Sequence, residues 1–149
     1  MSFSDYHFIT HWRIQGSKEI IYQILKDGAG YERWWKPAYV TSTEVGKNKI
    51  RSLVRAKLPY TLTFTTEAVR EIPYEEFEIR SSGELAGTGL WKFRQVNEWT
   101  EIDFYWDVRA EKPLVRWLSL FLKPIFRWNH DWVMKTGETC LQEEVRRRT

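Results

Sequence analysis

The sequence predicts an α+β fold in which a curved antiparallel sheet wraps around one long C-terminal helix. Three observations carry this expectation. Several segments alternate apolar and polar residues with a period of two and follow one another through short turns, which makes their sheet antiparallel. An amphipathic helix separates the first of these segments from the rest, and the chain closes on a helical pattern from Pro113 to about Leu141. At 149 residues the chain supports a single domain with one substantial core.

The elements follow in order. Alternation at Tyr6 to Ile14 marks a first strand. The first helix opens at GSKEII, where Gly16 or Ser17 caps and Glu19 reaches back, and Ile20, Ile21, Ile24 and Leu25 recur at helical spacing until Asp27-Gly28 ends it. A short helical turn is expected at Tyr31 to Lys36, stopped by Pro37. Tyr60, Leu62, Phe64 and Thr66 are in phase along a strand at Tyr60 to Ala68, as are Phe77 and Ile79 at Glu75 to Ser81. The clearest strand is Trp99 to Ala110: Thr100, Ile102, Phe104, Trp106, Val108 and Ala110 share one face, and Glu101, Asp103, Asp107 and Arg109 share the other. Pro113 occupies a favoured first-turn position of the last helix, and Pro124 kinks or splits it.

Composition narrows the function. The formal net charge is +3, with basic residues scattered among acids except at Arg146-Arg147-Arg148, which reads as a solvated terminus; no nucleic-acid partner is expected. The longest strongly apolar run, Trp117 to Leu122, is broken by Ser119 and far too short to span a membrane. MSFSDYHF lacks the basic-then-apolar order of a secretory signal, and the one cysteine, Cys140, allows no internal disulfide; both fit a reducing cytoplasm. Nine Trp, eight Phe and seven Tyr supply more flat surface than a plain core requires. They point to a lined cavity or an interface.

Motifs for chemistry are sparse. GELAGTG suggests a phosphate loop, but Leu90-Trp91-Lys92-Phe93 continues as strand where such a loop needs a helix. Glycines in a strand instead mark a bulge, a bend or close approach of another backbone, and Gly87 and Gly89 share a face with Trp91 and Phe93, where they can also leave room for a ligand. His7 and His11 lie roughly 13 Å apart along one strand face, too far to hold one ion, and are expected to face solvent. Cys140 falls on the apolar side of the last helix as an inert thiol. Glu101 and Asp103 project together roughly 7 Å apart, but from the polar face of their strand. No metal or cofactor is expected.

Projected at 100° per residue with Asn129 at zero, Leu118, Leu122, Ile125, Val133, Thr136 and Cys140 fall within about 40° of it. Asn129 then centres the apolar stripe, and its amide needs a protein group, a water or a ligand as partner, since leaving it unsatisfied costs about 1–3 kcal/mol. His130 falls on the edge of the stripe and Asp131 toward solvent. Trp117, Phe121, Trp128 and Trp132 form a second ridge that packs on the sheet, rims a cavity or touches a membrane.

The YERWWKP segment at 31–37, the Leu58-Pro59-Tyr60 turn, the Gly83 to Trp91 segment, and the ending with Asn129-His130, Val133-Met134, Gly137-Glu138 and Leu141 together resemble the START-related SRPBCC superfamily, in its polyketide cyclase/dehydrase and lipid-transport branch. The resemblance spans roughly residues 6 to 142. It implies a helix-grip fold, with a seven-stranded antiparallel sheet gripping the C-terminal helix around a mostly apolar cavity. No catalytic signature carries over residue by residue. The expected function is binding, transport or sequestration of a small lipophilic or aromatic molecule. The helix would contribute Leu118, Leu122, Ile125, Asn129, Val133 and Thr136. The sheet would contribute Leu62, Phe64, Phe77, Ile79, Trp91, Phe93, Ile102, Phe104 and Trp106. Either one ring of the Trp34–Trp35 pair closes over a ligand or both plug the open end of the sheet, and as neighbours they are not expected to face the same way. One alternative is a cyclase- or aromatase-like enzyme in which Asn129, His130 or Tyr60 polarises or protonates a reactive chain, with His130 near neutral pKa as proton carrier. Another is a scaffold or membrane-surface protein that uses the aromatic ridge.

Overall fold

The computed structural model describes residues 5–55, 57 and 60–149. Leu58 and Pro59 of the expected turn lie outside them. Strand β1 (Asp5–Gln15) leads into helix α1 (Lys18–Lys26), a 3-10 turn (Gly28–Gly30) and the single-turn helix α2 (Tyr31–Trp34). Six strands follow: β2 (Tyr39–Gly46), β3 (Lys49–Arg55), β4 (Thr61–Ile72), β5 (Glu76–Gly83), β6 (Leu85–Val96) and β7 (Trp99–Ala110); helix α3 (Pro113–Arg148) ends the chain. The seven strands form one antiparallel sheet in the order β1-β7-β6-β5-β4-β3-β2. The α1–α2 crossover therefore carries the chain from one edge to the other, and the meander that follows returns until β7 pairs β1 along its whole length, from Asp5 opposite Arg109 to Gln15 opposite Trp99.

Local chemistry accounts for the boundaries. Ser17 caps α1, its hydroxyl accepting from the Ile20 N–H at 3.3 Å, and α1 buries Ile21, Tyr22, Ile24 and Leu25, with Tyr22 against Phe77 of β5 and Phe93 of β6. The β2–β3 and β6–β7 turns carry Asn48 and Asn97 at positive φ, a conformation that asparagine tolerates because its side chain bonds locally. Register shifts in the β2–β3 and β4–β5 pairings bend the sheet, as bulges do. At Gly87 (φ +154°) a Cβ would lie 2.0 Å from the Asp107 carbonyl oxygen. β6 and β7 approach so closely there that only glycine fits.

On the outer face, β1 and β7 are laced by cross-strand pairs. His7 Nδ1 meets Asp107 at 2.8 Å, His11 Nδ1 meets Asp103 at 2.8 Å, and Arg13 lies 3.3 Å from Glu101. The histidines face solvent as expected, and the Glu101 and Asp103 carboxylates are engaged there rather than converging on a substrate.

Helix α3 departs from expectation in two ways. It continues through Arg148 instead of ending near Leu141. The basic tail is its last turn, with Arg147 and Arg148 reaching back to Glu144 at 3.4 and 2.9 Å, where cations also meet the negative end of the helix dipole. The kink expected from Pro124 is present, with non-helical backbone at Leu122 (φ −116°, ψ 21°). The second departure is phase. The buried residues are Val115, Ser119, Phe126, Asn129, Met134, Gly137, Leu141, Glu144 and Val145, and their centre lies about 80° round from Asn129 on the His130 side. Ile125, expected inside, is 40% exposed. The expected stripe falls between the true core face and the aromatic ridge, because α3 is apolar on both.

Among the described residues, no helix is long and apolar enough to cross a membrane.

Candidate functional site

Between the concave face of the sheet and α3 lies a cavity of about 320 Å³. Its floor is a chain of aromatic rings placed by strand register. Phe77 on β5 is opposite Trp91 on β6, and Trp91 is opposite Phe104 on β7. The Trp91 and Phe104 rings stack at 4.0 Å between centroids; Trp106 follows Phe104 at 5.5 Å, and Phe64 on β4 lies 6.2 Å beyond. Trp106 is opposite Gly89, where a Cβ would lie 2.9 Å from the indole and 2.9 Å from Ile79. Gly89 is thus the gap that lets the indole lie across β6, and the room expected there for a ligand is taken by Trp106 itself.

The roof is α3, through Val115, Phe126, Asn129, His130, Val133 and Met134. Its seating depends on Gly137, where a Cβ would fall 2.4 Å from Trp35 and 2.8 Å from Trp12. With no side chain there, the two indoles press against the helix backbone, and Trp35 Nε1 donates to the Val133 carbonyl at 3.1 Å. Trp34 and Trp35 are both buried and their rings stack at 5.4 Å. This corrects the expectation of opposite faces: strand-like alternation does not apply where α2 ends, with Trp35 as its C-cap at φ −110° and ψ 42°. Only Trp35 lines the cavity; Trp34 packs behind it. The exposed polar residues Asp27, Glu44 and Asn48 also line the cavity, so it opens to solvent between the α1–α2 crossover and the β2–β3 edge.

Of the residues expected in the site, Asn129, His130, Val133, Trp35, Tyr60, Leu62, Phe64, Phe77, Ile79, Trp91, Phe104 and Trp106 line the cavity. Leu118, Leu122, Ile125, Thr136, Trp34, Phe93 and Ile102 do not. The four helix residues miss because of the rotated phase; Phe93 and Ile102 are buried further along the sheet, against Tyr22 of α1 in the case of Phe93. Tyr6, Phe8, Tyr31, Tyr39, Phe126 and Met134 line it unforeseen. Tyr6 and Phe8 were visible in the first strand's alternation, and Phe126 and Met134 sit four residues either side of His130, on the face that the shifted phase passed over.

The polar groups of the wall are mostly committed to the protein. Asn129 Oδ1 accepts from the Lys57 N–H at 2.7 Å, so the partner of this amide oxygen is the backbone after β3. The Tyr6 hydroxyl pairs with Ser119 at 2.6 Å, and Tyr31 donates to the Leu25 carbonyl at 2.5 Å. Burial pushes Tyr60 up to about 12 and also raises Tyr6, whose Ser119 partner opposes the rise.

His130 has no such partner. Its ring stacks on Phe8 at 3.7 Å and 9°, and both ring nitrogens are buried with no hydrogen-bond partner. The Asp131 carboxylate is 3.9 Å from Nδ1, too far for a hydrogen bond. Burial pushes the imidazole down to about 3. The near-neutral proton carrier expected from sequence is therefore a neutral aromatic ring. Among the described residues no group of His, Cys, Asp and Glu is arranged to hold a metal ion.

No family model matches the sequence, and no curated protein does so. Solved structures do match in shape. The Zhui aromatase/cyclase from Streptomyces sp. R1128 aligns at TM-score 0.75 with 14% identity, over 97% of this chain and 95% of that one. A START superfamily protein from Mycobacterium smegmatis aligns at TM-score 0.78 with 13% identity, over 96% and 99%. A conserved protein from Geobacillus kaustophilus aligns at 0.81 with 10% identity, over 95% and 96%. The seven-stranded sheet closed around α3 is the helix-grip fold, matched nearly end to end by an aromatase/cyclase and by a START superfamily protein.

Proposed function

We propose that this protein binds a small lipophilic or aromatic molecule in the cavity between sheet and α3. The observation that carries the reading is the cavity itself: about 320 Å³ left open among rings that would otherwise close on one another, since protein interiors pack nearly without voids. The volume is at the lower end of the roughly 300–1,000 Å³ of small-molecule sites, and the walls have their usual character, apolar and aromatic with few polar groups. Flat rings on the floor favour a flat or branched apolar ligand, recognised by stacking and burial more than by hydrogen bonds.

The likeness to an aromatase/cyclase supports a second, enzymatic reading. The wall weighs against it: acid–base catalysis works best with groups that titrate near the operating pH, while burial drives His130 to about 3 and Tyr60 to about 12. The binding reading is therefore preferred. Native mass spectrometry and solvent extraction of the purified protein test it, with a co-purified apolar compound as the expected result. Val133→Phe, which fills the cavity from the roof, should abolish its retention. Failure to bind any lipid, aromatic or polyketide-like compound in titration would refute the proposal. Turnover of such a compound, lost in His130→Ala with affinity kept, would establish the enzyme instead.

A further inference from the structure

The side of α3 turned away from the cavity carries a second anomaly, independent of what fills the pocket. Twelve large hydrophobic residues are exposed among the described residues, and six of them lie within Leu114–Trp128: Leu114 (55%), Trp117 (63%), Leu120 (56%), Phe121 (66%), Ile125 (40%) and Trp128 (50%). Five of the six, all but Leu120, fall within about 50° of a common line down the helix. Scattered exposed apolar residues are ordinary, but a contiguous ridge on one element marks an interaction site. The Trp117 and Phe121 rings meet edge to face at 6.0 Å, joined to each other and turned away from the core.

Charge identifies the partner. From Pro113 to His130 the helix has no acidic residue and carries Arg116 and Arg127, both exposed, and Lys123, whose ammonium is turned inward over the Tyr6 ring at 5.1 Å. Lys57, from the strand connection beside it, holds its ammonium 5.5 Å from the Trp128 ring and 5.9 Å from the Trp132 ring. Aromatic and aliphatic side chains on one face, with arginines exposed further round the helix and a lysine at the border, are the composition of helices that lie in the headgroup region of a bilayer, where tryptophan is at home and cations meet anionic lipid. A second copy of the chain is a poorer match. A two-fold contact through this face sets α3 against itself, and between Pro113 and His130 it has no acidic residue to meet Arg116 and Arg127.

We propose that the Leu114–Trp128 ridge docks this protein onto the surface of an anionic membrane, with the helix lying in the interface rather than crossing it. Co-sedimentation with vesicles tests this, using phosphatidylcholine alone and phosphatidylcholine mixed with phosphatidylserine. The expected result is binding to the mixed vesicles only, weakened by salt. Arg116→Gln with Arg127→Gln should lower the partition constant roughly 25-fold, at about fivefold per cation. Trp117→Ala with Phe121→Ala should abolish sedimentation while the circular dichroism spectrum stays unchanged, since both side chains are mostly solvated. Absence of binding to the mixed vesicles, or equal binding to neutral ones, overturns the proposal. So does a concentration-dependent dimer in analytical ultracentrifugation that the Trp117→Ala/Phe121→Ala variant disperses.

Discussion

Replacing His130 with phenylalanine should make the protein more stable and remove much of its sensitivity to acid. The imidazole lies flat on Phe8, so a phenyl ring of similar size keeps the stack. It also removes two buried nitrogens that have no partner, and an unsatisfied buried polar group costs about 1–3 kcal/mol. That is the gain expected at pH 7. The acid effect follows from linkage. The folded protein holds His130 down at about 3, while the unfolded chain titrates near 6.5. Between these values the unfolded state binds the extra proton, so stability is intact above about pH 6.5 and falls as pH drops, by about 1.4 kcal/mol per unit. Over the whole window the loss approaches about 4–5 kcal/mol, and at about pH 4.5 it is already 2–3 kcal/mol. His11 acts in the opposite sense. Its Asp103 and Glu101 partners raise its pKa, giving a contribution that is present below about pH 6.5 and lost as pH rises through the folded value; this is common to both proteins and cancels in their difference. Urea unfolding followed by circular dichroism from about pH 4.5 to 7.5 measures it. Parallel stability curves for wild type and His130→Phe, or a variant less stable at pH 7, would refute the argument.

Three other substitutions examine the architecture. Gly137→Ala places a methyl 2.4 Å from the Trp35 ring, and overpacking of about 1–3 kcal/mol should exceed the gain of about 1 kcal/mol in helix propensity, lowering the melting temperature. Asn129→Leu deprives the Lys57 N–H of its acceptor and should cost about 1–3 kcal/mol in denaturant unfolding; unchanged stability would show that the amide does not secure that connection. Gly89→Val drives side-chain atoms into Trp106 and Ile79, so it should displace the indole toward the cavity and reduce ligand retention in native mass spectrometry more than it reduces stability.

The strands were the most legible part of the fold. β7 spans Trp99–Ala110, the bounds its alternation predicts, because one face is core and the other carries Glu101, Asp103 and Asp107, which pair with Arg13, His11 and His7 of β1; each polarity confirms the other. The Ser17 cap and the Pro124 kink were legible for a similar reason, since each depends on a property of one residue type. Phase along α3 was not. Helical spacing reveals that a face is apolar, not what the face meets, and a helix with a core stripe and an exposed aromatic ridge offers two candidates whose average satisfies neither. That single rotation accounts for the displacement of Ile125 and for the placing of His130 at the margin when it lies on the cavity wall. The Trp34–Trp35 pair was ambiguous for a local reason: at the end of a one-turn helix neither a period of two nor one of 3.6 governs direction.

The distribution of tryptophan has an optical consequence. Trp35, Trp91 and Trp106 surround the cavity, shielded from water, whereas Trp117 and Trp128 stand largely in it. The first group should emit at short wavelength and resist quenching by iodide; the second should emit further to the red and be quenched readily. One unlabelled sample therefore carries two native reporters, one for an occupant of the interior and one for a surface that covers the helix, and each can be followed while the other stays silent.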